Sequence, residues 1–317
     1  MSGPLLLAIP SKGRLKDQVA AWLADSGLTL RSEGGERGYR GRLDGLDAIE
    51  VRLVSASDAA AGLRRGEFHL GVTGEDLLAE ATSGGEVLKL LALGFGRADL
   101  VVAAPRSWID VETMDDLDEA ARLFLTRTGA RMRVATKYPR QARAFFARHH
   151  AADFRIVEST GATEGGPAAG LCEAIVDITS TGATLAANGL KALSDGLILR
   201  SQACLFASLA SPWPDRVLSA CQRLLAILEA RSAGHSRLVL SWPKVSEETA
   251  RAALAAFSLP EETPEPGKAL VAEGEVFAAA AALGEAGVGP ISVVRPTYVF
   301  ASKSAPFLAL RSALGVV

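Results

Sequence analysis

Residues 173–190, EAIVDITSTGATLAANGL, run from an apolar strand ending in Asp177 through a loop rich in Ser, Thr and Gly to a helical start at Leu185. A strand that passes to a helix through a short polar loop is the building unit of a parallel α/β sheet. Such a loop turns consecutive backbone N–H groups and hydroxyls toward one point beside a helix N-terminus, an arrangement that binds phosphate. Ser180, Thr181 and Thr184 supply hydroxyl donors, while Gly182 and Ala183 keep the loop slim. The Walker A spacing is absent. An ordinary strand–turn–helix connection with polar caps would read the same way. Asp177 also has two readings. It holds a sugar diol or a magnesium-bound phosphate, or it caps the turn. Ligands in these folds bind at the carboxyl ends of parallel strands, which favours the first.

The same strand-to-helix junction recurs twice upstream. In PSKGRL (10–15), Lys12 and Arg14 flank Gly13 and either meet a polyanion across a cleft or form a solvated basic loop. In GVTGEDL (71–77), Thr73 and Gly74 make the turn, and Glu75 and Asp76 open the helix. The helix dipole alone accounts for both acids, so a ligand role for Asp76 rests on its context.

Working outward, strands are expected at 5–9, 48–54, 70–73, 88–95 and 100–104, with helices at 15–26, 57–65 and 76–81 between them. A second set follows: helices at 110–122, 140–150 and 167–174, and strands at 131–136, 154–158 and 175–179. An extended stretch at 196–209 and a helix at 215–230 close it. The two sets read as two α/β lobes. RSAGHS (231–236) reads as a linker. The tail then reads as strand 238–242, helix 247–257, a Pro/Glu-rich loop 259–267, a weak strand 269–272 and helix 275–286. Strands near 291–294 and 298–300 and a last helix 306–314 complete a small α+β module.

Composition bounds the possibilities. The chain has 317 residues, 49% of them hydrophobic, with 34 basic against 36 acidic side chains. Two or three domains fit this length. A formal net charge of −2 argues against a surface wholly given to nucleic acid. Cys172, Cys204 and Cys221 have no metal or CxxC spacing and are expected to be buried free thiols. The opening MSGPLLLAIP lacks the basic start and long apolar core of a signal peptide. No apolar run reaches the ~18 residues of a membrane span, so a cytoplasmic protein that binds neither membrane nor nucleic acid is expected. None of the four histidines stands in a nucleophile or zinc motif.

Taken together, AIPSKGRL (8–15), HLGVTGEDLLAE (69–80), LGFGRADLVVA (93–103), RVATKYP (133–139) and the stretch from Glu164 through residue 190 resemble the ATP phosphoribosyltransferase family, in the family's order. Cys172, where a smaller residue is expected, and the wording of Thr179–Ser180 depart from the pattern without removing the loop's donors. The resemblance implies a two-lobed core like periplasmic binding proteins, with chain crossings near residues 104 and 190. Lobe I would be 1–104 plus 190–230, and lobe II 105–189. It implies transfer of the phosphoribosyl group of phosphoribosyl pyrophosphate to N1 of ATP, the first step of histidine biosynthesis, with Mg2+. Lys12 and Arg14 would meet the leaving group, Asp177 the ribose hydroxyls and the metal, and residues 180–184 the 5′-phosphate. Thr73, Gly74 and Asp76 would lie near the nucleotide.

For the tail, 231–317, the resemblance implies a ferredoxin- or ACT-like module that binds histidine as feedback inhibitor, in a homo-oligomer, a hexamer for long members. Short members pair instead with a regulatory subunit resembling histidyl-tRNA synthetase, and a purely structural tail would leave regulation to such a partner. A non-catalytic two-lobed solute-binding module shares the fold, although the apparent lack of a signal peptide and the intact 177–184 loop disfavour it.

Overall fold

The computed structural model describes residues 3–33, 39–82, 84–159, 161–243, 247–257, 259 and 267–316. Strands β1 (Leu5–Pro10), β2 (Leu30–Glu33), β3 (Arg40–Leu43), β4 (Ile49–Val54), β5 (Leu70–Gly74), β6 (Val87–Ala92) and β12 (Ala203–Ser208) build the first sheet, in the order β2-β3-β4-β1-β5-β12-β6. At its centre β1 runs parallel to β4 and β5. Both faces are covered, as alternation along β12 demonstrates. Leu205 and Ala207 join the core under α1 (Gly13–Asp25) and α7 (Asp215–Ser236). Cys204 and Phe206 join the core under α2 (Ala56–Arg65) and α3 (Glu75–Ala81). Strands β2 and β3, unexpected from the sequence, carry one leucine each among polar and charged residues or glycine over only four positions, too short and too polar a run to stand out.

The second sheet comprises β7 (Ala98–Pro105), β8 (Met132–Thr136), β9 (Phe154–Glu158), β10 (Ala174–Thr179) and β11 (Leu190–Ser201), in the order β11-β7-β10-β8-β9. Strands β8, β9 and β10 are parallel. Leu100, Val102 and Ala104 face α4 (Met114–Thr128) and α5 (Pro139–Arg148), while Val101 and Ala103 face the side of α6 (Ala183–Ala187). The expected helix at 167–174 is absent; a single 3-10 turn, Thr163–Gly165, precedes bends and β10.

The two-lobed α/β architecture is as expected, but the crossings are not at 104 and 190. Strand β7 pairs antiparallel with both β10 and β11, which places 98–105 and 190–201 in lobe II. The chain therefore crosses at 93–97 and again at Gln202. Apolarity marks a segment as a strand without saying which sheet it joins; backbone pairing decides that.

The tail departs further. Helix α7 continues to Ser236, so 231–236 is the last part of a helix rather than a linker. Gly234 sits there because another strand of chain crosses it: a Cβ would lie 2.6 Å from the Thr297 carbonyl oxygen. Beyond it, β13 (Arg237–Ser241), α8 (Glu247–Ala253), β14 (Lys268–Ala272), α9 (Val276–Glu285) and β15 (Ser292–Val294) form an antiparallel sheet, β14-β13-β15, with two helices. This is the ferredoxin-like order less one edge strand among the described residues. Most of the expected loop at 259–267 lies outside those residues. Residues 298–300 are not a strand. Helix α10 (Ala305–Ala313) leaves the module, and its Phe307 and Leu310 lie in the lobe I core. Hence 231–317 is not one unit.

An ion cluster fastens this returning segment. Arg231 donates to Asp25 through Nη2 (2.8 Å) and Nε (3.2 Å) and to the Thr297 carbonyl (3.0 Å), and its guanidinium lies over the Tyr298 ring. His235 Nε2 is 2.7 Å from Asp25 Oδ2. The three cysteines are free and buried. Among the described residues no helix is long and apolar enough to cross a membrane.

The Arg231 hydrogen bond, then that of His235, lowers the Asp25 carboxyl to about 2. A carboxylate depressed on folding stabilises above its unfolded value of 3.8 and loses that contribution as pH falls toward 2. The thermal midpoint of Asp25→Asn should therefore lie below wild type near neutral pH, and the gap should narrow as pH falls from 4 to 2. Differential scanning calorimetry across that range checks it.

Candidate functional site

Parallel pairing brings the carboxyl ends of β1, β4 and β5 to one edge of lobe I, and those of β8, β9 and β10 to one edge of lobe II. Both crossings leave from these same edges, since β6 ends and β12 begins beside Gly74, and β7 begins and β11 ends beside Thr179. The two edges thus share one gap, and the loops singled out from the sequence line it. Ser11 N–H donates to the Val54 carbonyl (2.8 Å), tying the loop of Lys12 and Arg14 to the end of β4. Lys12 and Arg14 are exposed there.

On the lobe II side, Gly182 adopts φ +75°, and its N–H donates to Thr179 Oγ1 (2.9 Å), folding the 179–183 loop over itself. Ser180 Oγ donates to the Arg97 carbonyl (3.0 Å), so the loop touches the first crossing. Thr181, Ala183 and Thr184 are exposed. Asp177 is half-buried and accepts from the Ile178 N–H (2.8 Å). Burial pushes its carboxyl above the usual range. The Glu164 charge pushes the same way, whereas the Ile178 N–H, Lys137 and Thr163 favour the charged form. Thr163 is buried, and its Oγ1 has no hydrogen-bond partner of normal geometry despite lying close to this carboxylate.

Glu164, Lys137 and Thr163 are functional candidates that the sequence reading did not single out. Lys137 and Glu164 stood within the resembling segments, but nothing in a linear sequence says that their loops converge on Asp177. No group of three or more His, Cys, Asp or Glu side chains converges among the described residues. The Asp177–Glu164 pair is nonetheless a donor set that suits magnesium, which takes one or two carboxylates and completes its shell with water and phosphate oxygens.

The lobe I residues behave differently from expectation. Thr73 is buried and donates Oγ1 to the Ala56 carbonyl (2.7 Å), bracing β5 to α2. Asp76 is 6% exposed. Its Oδ1 accepts from Ser201 Oγ (2.6 Å), and its Oδ2 accepts from Tyr138 Oη (2.7 Å). Gly74 permits this: a Cβ there would lie 2.2 Å from Asp76 Oδ1. Neither Thr73 nor Asp76 offers an open group to a nucleotide. A cavity of about 420 Å³ lies beside them, where Glu75, Arg97 and Gln202 meet Thr179 and Ser180. His69 is a structural residue, accepting from the Leu6 N–H (2.9 Å) and facing the Pro212 carbonyl (3.1 Å).

Residues 55–230 match the family model described as HisG: ATP phosphoribosyltransferase. An ATP phosphoribosyltransferase of Caulobacter vibrioides is 58% identical over 307 residues, 96% of each chain. One of Rhodopseudomonas palustris (strain HaA2) is 53% identical over 234 residues, 73% of this chain and 72% of its own. Among solved structures, a chain of the ATP phosphoribosyl transferase (HisG:HisZ) complex from Thermotoga maritima matches with a TM-score of 0.54 and 26% identity. That match covers 71% of this chain and 98% of the other.

Thr163→Val keeps the shape of the site and removes a hydroxyl that favours the charged Asp177. The Asp177 pKa, already raised, should move further up, and Thr163→Ser should restore it. Carboxyl-carbon NMR titration reads both.

Proposed function

This chain belongs to the ATP phosphoribosyltransferase family, and from that membership we propose that it joins N1 of ATP to C1′ of phosphoribosyl pyrophosphate, releasing pyrophosphate in the first step of histidine biosynthesis. The observation that carries the reading is the 58% identity to an ATP phosphoribosyltransferase across 96% of both chains, with the 177–184 loop facing the interlobe gap. The same relationship favours an enzyme over a solute-binding module.

The chemistry asks for little proton movement. Adenine N1 already carries a lone pair, which forms the new bond to C1′ as the C1′–O bond breaks and its electrons leave with pyrophosphate. No strong base is needed. The demand is electrostatic, at the departing pyrophosphate and at the positive charge developing on the ribose. In the proposed arrangement Asp177 accepts from the ribose hydroxyls, and its carboxylate lies on the side where positive charge grows. The hydroxyls and N–H groups of residues 180–184 hold the 5′-phosphate. Lys12 and Arg14, exposed across the gap, meet the pyrophosphate. Bound magnesium supplies further charge neutralisation at the leaving group, and Asp177 with Glu164 would hold it. Their mutual repulsion is the kind that a divalent cation relieves.

For the tail we propose the self-regulated form: residues 237–294 as a histidine-responsive module and a homo-oligomeric enzyme in the cytoplasm. The Caulobacter relative carries a matching tail, whereas the Thermotoga chain, whose structure is titled as a HisG:HisZ complex, aligns to 71% of this one and is nearly used up in doing so. A chain with its own module has less need of a separate regulatory subunit.

A coupled assay for pyrophosphate release with ATP and phosphoribosyl pyrophosphate tests the reaction. Wild type should turn over, and Asp177→Ala should lose on the order of 10²–10³-fold in kcat, as for removal of a single transition-state contact. No turnover by wild type, with or without an added regulatory subunit, would sink the reaction. Unchanged turnover in Asp177→Ala would sink the site assignment alone.

The same assay tests the tail. The purified chain alone should be active and should be inhibited by histidine. Deleting the module from Arg237 to Val294 with a short bridge to α10 should abolish inhibition. Activity that waits for a second subunit would contradict the self-regulated form.

A further inference from the structure

The backbone joins the lobes twice, at 93–97 and at Gln202. Two connections leave one rotation free, about the line between them, and that rotation is the hinge motion of two-lobed folds. A third connection away from the line would stop it.

Helices α3 of lobe I and α5 of lobe II supply one. The Glu80 carboxylate accepts from the first free N–H groups of α5, with Oε1 taking Arg140 N–H (2.8 Å) and Oε2 taking Gln141 N–H (3.0 Å). An acid of one lobe thus caps a helix of the other, at the end where the dipole favours negative charge. Gln141 Nε2 donates to the Asp76 carbonyl (2.9 Å), and Arg140 donates through Nε to the Glu80 carbonyl (3.1 Å) and through Nη2 to that of Thr82. Tyr138, 4% exposed, donates its hydroxyl to Asp76, which also binds Ser201 at the second crossing. The Tyr138–Asp76 bond thus lies beside the second crossing, whereas Glu80, one helical turn further along α3, holds α5 at a distance from it.

We propose that Tyr138 and Glu80 are positioning residues that latch the lobes at their working angle, so that substrates enter a preset cleft rather than drawing it closed. Each latch bond ends on a backbone or carboxylate group that lies beside the site without belonging to it. Tyr138 N–H binds Thr136 Oγ1 (2.9 Å) at the carboxyl end of β8, and the Asp177 charge reaches the phenol. Movement at the latch would displace Lys137 and Asp177 relative to Lys12 and Arg14. The kinetic part of this inference rests on the proposed reaction; the mechanical part does not.

Spin labels at exposed Asp47→Cys and Arg127→Cys, one in each lobe, report the interlobe distance by double electron–electron resonance. In otherwise wild-type protein the distribution should be narrow and should move by no more than about 1 Å on adding ATP or phosphoribosyl pyrophosphate, as in pre-organised complexes. In Tyr138→Phe/Glu80→Ala it should broaden and become ligand-dependent. KM for both substrates should then rise about tenfold, more than kcat falls, as expected for loss of hydrogen bonds to charged acceptors. Tyr138→Phe alone, which keeps the ring in the core, should give a smaller change of the same sign and covers the case of a double variant that does not fold. Closure of the wild-type lobes by several ångströms on ligand addition would overturn the latch, as would an unaltered distribution in the folded variants. Absence of wild-type turnover would count against the reaction and leave the distance measurement standing.

Discussion

Everything at the interlobe gap depends on one topological constraint: both crossings leave from the carboxyl edges of the two sheets. A chain that crossed at the opposite edges would point the β1, β5, β8 and β10 loops away from each other. Because β6 and β11 end, and β7 and β12 begin, on the facing edges, five strand-to-helix junctions, those after β1, β4, β5, β8 and β10, share one gap. Loops that are individually ordinary gain chemical meaning from that convergence. A Ser/Thr/Gly turn, two flanking cations and a strand-end aspartate are each common; their assembly across a single cleft is not.

Much of this was legible in the sequence because short strand–loop–helix units carry strong local signals. Residues 5–26, 48–65, 70–81 and 173–187 fold close to expectation since turn chemistry and apolar periodicity agree there. Misreadings came where the deciding partner is remote. Strand β7 reads as a plain apolar run, and only its antiparallel pairing with β10 and β11 assigns it to lobe II. Gly234 reads as a linker glycine, yet it lies within a 22-residue helix and is small because residues 296–297 pass over it. Helix α10 was legible as a helix, but not as a piece of lobe I, because its apolar face carries no address.

The tail illustrates the same limit. Its strands β13, β14 and β15 and helix α9 lie near where periodicity put them, and the ferredoxin-like order follows. What the sequence did not reveal is that the segment after β15 turns back along α7 and inserts Phe307 and Leu310 into the catalytic core. The module is therefore tethered at both ends, by α7 on entry and by the 297–310 segment on exit, with the Asp25–Arg231–His235 cluster between. A rotation of the module must pull on two elements that pack under the first sheet.

The two aspartates singled out from strand ends show how satisfaction of a carboxylate separates structural from chemical roles. Asp76 is buried with a hydroxyl donor on each oxygen, a backbone hydrogen bond back to Ser201 and a glycine that makes room for it. A group so completely partnered inside the protein is worth more as a brace than as a ligand, since a substrate would have to displace those donors. Asp177 is the reverse case. Burial and a neighbouring carboxylate both disfavour its charge, while one backbone N–H, an exposed lysine and a threonine hydroxyl of poor geometry oppose them. That leaves acceptor capacity open on a carboxylate at the cleft edge. The proposed contacts of Asp177 with ribose hydroxyls and a divalent cation rest on that open capacity.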